Sequence, residues 1–556
     1  MRRDRLLAWG RTCLYALPVL YLALFFLYPL AAILRISLAP EGRLDLGPWR
    51  VLIQDGYYRR VLWFTTWQAA ASTALTLGLG LPAAYAFARY RFPGKEVLRA
   101  LTTVPFVLPA LVVAAAFNSL LGPRGAINDW LTRLGAPPLA LTHTIWIILL
   151  AHVFYNATVV VRIVGGFWAN LDPRLEEVAR VLGASRWRTW QRVTLPLLAP
   201  AIAAAALLVF LFCFTSFGVI LILGGPRFAT LEVEIYTQAV YMLRLPIAAA
   251  LSLLQMGITF AVMWLYTRLQ ARMITPLNFR PQQTTQRPVR TWRARAFLTI
   301  SVGPLLILLM TPLLALVTRA LTGPEGWSLR YFQELSINRR GSVLFVPPSV
   351  AISNSLMFAL ATVGLSLLVG VISAYLLARP RRGLGSLLDP LFMLPLGTSA
   401  VTLGFGFIVA LDRPPLNLRT SPILIPLAHT LVAFPFVVRT LLPILRGFQP
   451  RLREAAAVLG ATPARVWLRI DLPIVGRAVL VGAVFAFTIS LGEFGATALI
   501  ARPEMPTMPV VIFRLLGQPG ALSYGQALAM STLLMAACLI GLVGIERLRV
   551  GEIGEF

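Results

Sequence analysis

Pro173–Pro196 reads PRLEEVARVLGASRWRTWQRVTLP, and Pro450–Pro473 reads PRLREAAAVLGATPARVWLRIDLP; 14 of the 24 positions are identical at an offset of 277. The same offset pairs His152 with His429, Arg162 with Arg439, Phe217-Gly218 with Phe494-Gly495, Pro226 with Pro503 and Thr230 with Thr507. Nearer the start, Ala84-Tyr85 and Arg89 match Ala374-Tyr375 and Arg379 at offset 290. A match this long is a duplicated unit with small indels.

The inserts are polar islands in an apolar chain. Of 556 residues, 58% are hydrophobic and 13% charged, and the mean hydropathy is +0.76. Soluble domains carry about 25% charged residues, so a soluble enzyme is excluded. Disorder is excluded too, because it requires low hydrophobicity. An outer-membrane barrel would show short alternating segments. The class that remains is an all-α polytopic membrane protein.

Stretches of roughly 20 apolar residues can cross a bilayer. Twelve are expected, at 12–38, 61–88, 100–121, 142–168, 198–224, 247–267, 297–318, 350–378, 387–410, 421–445, 474–500 and 524–545. The first apolar run is too long for a signal-peptide core and no A-x-A site follows it, so it reads as an uncleaved span. With both termini in the cytoplasm, 30 of the 50 basic residues fall in inside segments and 16 in outside loops. That bias obeys the positive-inside rule.

Each half then has six spans, so the two copies share one orientation, as parallel repeats about an axis along the membrane normal. The expected organisation is a first half at 1–267, a basic cytoplasmic linker at 268–296 and a second half at 297–556. The net charge of +28 is accounted for by loops facing lipid headgroups, and no nucleic-acid partner is expected. Cys13, Cys213 and Cys538 lie in apolar runs without paired spacing, which gives no disulfide framework. No metal and no cofactor is expected.

The inserts, at 171–196 and 448–473, lie on the cytoplasmic side by the charge count. Each opens with Pro, which suits a first helical turn, and Asp172 is placed to cap the first copy. Leu175, Val178, Ala179 and Leu182 follow at helical spacing, as do Leu452, Ala455, Ala456 and Leu459. Gly183 and Gly460 break the helix, since glycine takes a left-handed conformation cheaply. A second short basic helix is expected to end at Leu195-Pro196 and Leu472-Pro473, where the next span begins. Such an element can seat in a groove of a cytoplasmic partner as a lever.

The pattern Glu-x-Ala-x-x-x-Gly-Ala, here Glu177–Ala184 and Glu454–Ala461, resembles the EAA loop of ABC-importer permeases with the type I fold. The first copy departs from it mildly, with Val178 where the pattern favours Ala. The resemblance implies that the loops couple to ATPase subunits, with Glu177, Ala179, Gly183, Glu454, Ala456 and Gly460 as coupling residues. It also implies two ATP-binding cassette subunits, an extracytoplasmic solute-binding protein and a bacterial inner-membrane location. The fused two-half form is similar to thiamine and ferric-iron permeases around Ser216–Pro226 and Leu231–Tyr236. Gly492–Thr497 is similar to sulfate and molybdate permeases, so the solute stays open.

The chain lacks a P-loop, which needs G-x-x-x-x-G-K-[ST]; its one lysine, Lys95, is followed by Glu96. Energy is therefore expected from separate ATPases. For the path itself, charges inside spans are functional candidates. Glu493 lies deep in span eleven with Ser216 as its counterpart, and it either hydrogen-bonds among helices or lines a cation pathway. A secondary transporter with two parallel six-span halves is the rival reading, and a channel or scaffold the third.

Overall fold

The computed structural model describes residues 14–272, 286–323, 326–339, 344–378, 384–412, 416–447 and 450–548. Cys13, the basic N-terminus and residues 273–285 of the linker lie outside them. We label the repeat-forming helices so that partners differ by ten. The first half holds α1 (Leu14–Leu38), α2 (Gly56–Arg89), α3 (Lys95–Val107), α4 (Ala110–Leu121), α5 (Ile145–Asn170), α6 (Arg174–Val181), α7 (Arg186–Phe214), α8 (Gly218–Leu223), α9 (Leu231–Tyr236) and α10 (Leu245–Arg272). The second holds α11 (Trp292–Ala320), α12 (Val350–Ala378), α13 (Leu388–Gly397), α14 (Ala400–Ala410), α15 (Leu424–Arg446), α16 (Pro450–Val458), α17 (Ala464–Gly492), α18 (Thr497–Ile500), α19 (Met508–Leu516) and α20 (Ala521–Leu548).

Among the described residues eleven helices are long and apolar enough to cross a membrane, or twelve if α13 and α14 count as one bent span. Four expected spans need correction. The ninth, 387–410, bends by 99° between α13 and α14. The third, 100–121, breaks at Leu108–Pro109, because Pro109 cannot donate and forces Leu108 into an extended conformation. The fifth and eleventh begin earlier than expected and end at Phe214 and Gly492. The second basic helix of each insert does not stop at Leu-Pro. It runs straight into the span through a π-turn, Trp190–Thr194 in one copy and Trp467–Asp471 in the other. The widened turn, in which Leu195 N–H reaches Trp190 O, accommodates the proline that follows.

Packing follows the repeat. In each half α2 packs on α5 and α5 on α7, and α12 on α15 and α15 on α17. Lipid gives apolar surfaces no reason to associate, so close backbone approach has to supply the attraction. A Cβ on Gly80 of α2 would lie 2.8 Å from Val160 Cβ of α5, and one on Gly370 of α12 would lie 2.8 Å from Val437 Cβ of α15. These four residues are repeat equivalents.

The first helix of each half packs on the last helix of its own half and reaches across to the other half. α1 packs on α10 and α14, and Tyr21 O–H donates to Leu427 O of α15 at 2.7 Å. Correspondingly, α11 packs on α2, α4 and α20. The halves are thus interlocked. The linker joins this lock: β1 (Tyr90–Arg91) pairs in parallel with β2 (Arg287–Pro288).

Candidate functional site

The first insert is built on a short helix and a sharp reversal. Asp172 Oδ1 accepts from Arg174 N–H at 3.0 Å and so caps α6. The helix closes with Gly183 N–H donating to Arg180 O and Ala184 N–H to Ala179 O, each at 3.0 Å. Gly183 has φ +85°, the left-handed cap that fits this pair of bonds. The second insert repeats the arrangement: Gly460 N–H to Ala457 O, Ala461 N–H to Ala456 O, and φ +80° at Gly460. The paired alanines, Ala179 and Ala456, therefore carry the carbonyls that close each bend. Both are half-buried, whereas Glu177, Glu454 and the two glycines are exposed.

The tips of the bends are apolar and uncovered. Val181, Leu182, Val458 and Leu459 are each 81–88% exposed. The apolar face expected from Leu175, Val178 and Leu182 is likewise exposed. Both inserts lie at the same end of the bundle. α6 follows α5 beside the end of α2, where α11 also begins, with Phe297 against Tyr85 and Tyr90. α11 crosses away and α12 returns, so α16, beyond α15, sits at that same end.

Glu176, an acid not among the expected coupling residues, ties the first insert to the body. Its carboxylate lies 3.5 Å from Arg89 Nη2 and accepts from Thr194 Oγ1 at 3.1 Å. Arg89 in turn donates to Leu171 O at 3.2 Å. Glu177 points away, with the exposed Arg287 guanidinium of the linker at 3.8 Å.

Inside the bundle the conserved offset brings two histidines into matching polar knots. His152 bonds Ser72 Oγ through Nδ1 and Ser216 Oγ through Nε2, both at 2.9 Å. His429 bonds Ser490 Oγ through Nδ1 and Thr497 Oγ1 through Nε2, both at 2.8 Å, with Glu493 Oε2 at 3.3 Å. Glu493 also accepts from the backbone N–H groups of Ala496 and Thr497 and from Thr497 Oγ1. Glu493 and Ser216 thus meet the histidine of their own half, and Glu493 caps α18.

At the junction of the halves, the Phe217 and Phe494 rings stack at 5.4 Å between centroids and 18° between planes. Tyr236 sits edge-on to Phe217 at 5.3 Å, and Phe513 packs on Phe494 at 5.4 Å. All four residues obey the offset of 277. The short helices α9 and α19 behind them are held alike: Leu231 N–H donates to Thr65 Oγ1 at 3.0 Å and Met508 N–H to Ser355 Oγ at 2.8 Å.

Residues 76–275 match the family of binding-protein-dependent transport system inner membrane components. The thiamine transport system permease protein ThiP of Brucella abortus (strain 2308) is 29% identical over 528 residues, 93% of each chain. That of Escherichia coli (strain K12) is 28% identical over 514 residues, covering 90% of this chain and 91% of its own. The first half matches that family's model, the fused permeases align with the chain over most of its length, and the fold is that of type I ABC-importer permeases. Among solved structures, a chain of a bacterial ABC transporter involved in the import of the acidic polysaccharide alginate aligns with 49% of this chain and 98% of its own, at 20% identity and a TM-score of 0.40.

The described residues make this chain a multi-pass membrane protein with eleven or twelve candidate spans. Its aromatic stack and the neighbouring Glu232 were not singled out from the sequence. The signal for the stack was present, since Phe217 and Phe494 are a repeat pair. Glu232 had none, because its counterpart is Pro509.

Proposed function

We propose that this permease carries thiamine across the inner membrane, driven by two separate ATP-binding cassette subunits that seat on the bends at 171–196 and 448–473. The observation that carries the coupling assignment is the pair of exposed apolar tips, Val181-Leu182 and Val458-Leu459, each on a glycine-closed reversal. Exposed apolar pairs at matched positions in both halves suit two copies of one partner. Glu177 and Glu454 flank them as exposed carboxylates. Both termini and the linker lie on the cytoplasmic side by the positive-inside count. A solute-loaded binding protein docks on the outer loops. The halves 1–267 and 297–556 then switch access about the axis between Phe217 and Phe494, as two states with different affinity for nucleotide and solute.

Thiamine is favoured over ferric iron, sulfate and molybdate by the fused relatives that match 90% or more of this chain. The test is reconstitution with the ATPases and the binding protein in proteoliposomes, followed by radiolabelled thiamine uptake with and without ATP. Gly183→Trp and Gly460→Trp are the diagnostic variants. A Cβ at either glycine meets nothing within 4 Å, but the left-handed backbone there strains any side chain, so the loss is read against Val181→Asp with Leu182→Asp and Val458→Asp with Leu459→Asp, which leave both glycine bends intact. Uptake and ATPase co-purification should both be lost while membrane insertion persists. Uptake without any ATPase would refute the coupling assignment, and uptake of another solute in place of thiamine would refute the solute.

A further inference from the structure

Glu232 sits on α9, 1% exposed, where the two halves meet. Its Oε2 accepts from Ser399 Oγ of the other half at 2.7 Å, and its Oε1 accepts from Gln255 Nε2 of α10. Among the described residues no basic side chain pairs with it. Ser399 also accepts from Val401 and Thr402 N–H at the start of α14, so the carboxylate faces the positive end of a helix. That partial charge and two donors are its whole compensation. A buried carboxylate normally requires a cation as well.

The surroundings are short of donors and rich in acceptors. Gln255 is 1% exposed, and its Oε1 has no hydrogen-bond partner although its amide nitrogen is engaged by Glu232. An amide oxygen left unpaired beside a carboxylate fits a missing positively charged group. Tyr236 lies four residues on from Glu232 along α9, which puts the two side chains on one helix face. Tyr236 meets Phe217, which stacks on Phe494 at the axis. A carboxylate one turn from a cluster of ring faces is the environment that holds a cation whose charge is spread over an organic framework.

We propose that Glu232, with Gln255 Oε1 and the Tyr236–Phe217–Phe494 rings, forms the cation-selecting site of the translocation path. It takes an organic monocation of the thiazolium or quaternary-ammonium class. In the state seen here Ser399 occupies the carboxylate. Separation of the halves withdraws Ser399 and the α14 terminus, and the solute cation replaces them. Selection is one-sided, because Pro509 and Pro109 stand at the positions equivalent to Glu232 and Ser399. The inference deepens the importer reading and rests on it for the identity of the path.

Two arms keep the site and the solute apart. The first places a cysteine at Ala400, beside Ser399, in a variant with Cys13, Cys213 and Cys538 replaced by alanine. Its labelling by a trimethylammonium and by a sulfonate methanethiosulfonate reagent is compared in the complex during ATP turnover. With Glu232 in place the cation should react roughly tenfold faster relative to the anion, the effect of one charge across a partly solvated gap. Glu232→Gln should bring the ratio near one, and Glu232→Asp should restore most of it. The second arm measures uptake of thiamine and of a neutral thiophene analogue. Glu232→Gln should cut thiamine uptake by about tenfold and narrow discrimination against the analogue. A labelling ratio unchanged in Glu232→Gln, or absence of labelling in every state, overturns the site. A retained ratio without thiamine uptake by the unsubstituted protein retires thiamine and upholds the site.

Discussion

Phe217 and Phe494 stack on one another, and they occupy the same position in the two repeats. A residue can touch its own equivalent only beside the symmetry axis. The pseudo-two-fold axis of the permease therefore runs between these rings, and the flanking pair Tyr236 and Phe513 extends the stack symmetrically on both sides. Both phenylalanines are buried, so the axis is closed by aromatic surface in this state.

Truncating either ring should open that closure. Phe217→Ala and Phe494→Ala are each expected to raise the passive leak of small ions from proteoliposomes lacking ATP. The pair should couple by about 0.5–1.5 kcal/mol in a double-mutant cycle on thermal unfolding, the worth of a stacked pair beyond its area. Additive effects would mean that the rings merely neighbour one another.

The apolar tips make the opposite prediction for stability. Val181→Asp with Leu182→Asp, or Val458→Asp with Leu459→Asp, changes side chains that this chain leaves exposed. Melting should stay within about 0.5 kcal/mol of the unsubstituted permease, while co-purification of the ATPases falls. Pull-down with either pair of substitutions, read against thermal stability, checks both halves of the claim.

Gly80 and Gly370 should behave alike because their neighbours do. An alanine Cβ at either position would lie 2.8 Å from a valine Cβ on the facing helix. Gly80→Ala and Gly370→Ala are expected to destabilise by about 1–3 kcal/mol through overpacking. Val160→Ala and Val437→Ala in the same chain should each recover part of that loss. Failure of the valine substitutions to rescue would place the constraint on the backbone instead.

Removing the Glu493 carboxylate should act on structure. Glu493→Ala leaves the N–H groups of Ala496 and Thr497 without their acceptor and the His429 knot incomplete. A cost of about 1–3 kcal/mol is expected. Thermal unfolding checks the loss, and uptake normalised to folded protein should stay near that of the unsubstituted permease.

Much of this was legible in the residues. Gly183 and Gly460 announced their bends because a left-handed cap is a local demand, and the repeat wrote it twice. The apolar runs likewise marked most spans. The third and ninth spans were misjudged because hydropathy counts composition and is blind to a break at Leu108–Pro109 or beside Ser399. The continuous helix through Leu195-Pro196 was missed because a proline after a polar turn reads as a stop, while a π-turn lets the chain carry on.

The sequence by itself determined the membrane class, the duplication, the parallel orientation and the two polar bends, since each follows from local composition or from self-similarity. Tertiary structure alone decided that α1 and α11 reach across to the opposite half, that Phe217 meets Phe494, and that Ser399 meets Glu232. Lipid-facing helices are almost equally apolar on every side, so no pattern along one helix says which neighbour it will choose. Close packing across the bundle makes that choice, and the contacts it creates join residues far apart in the chain.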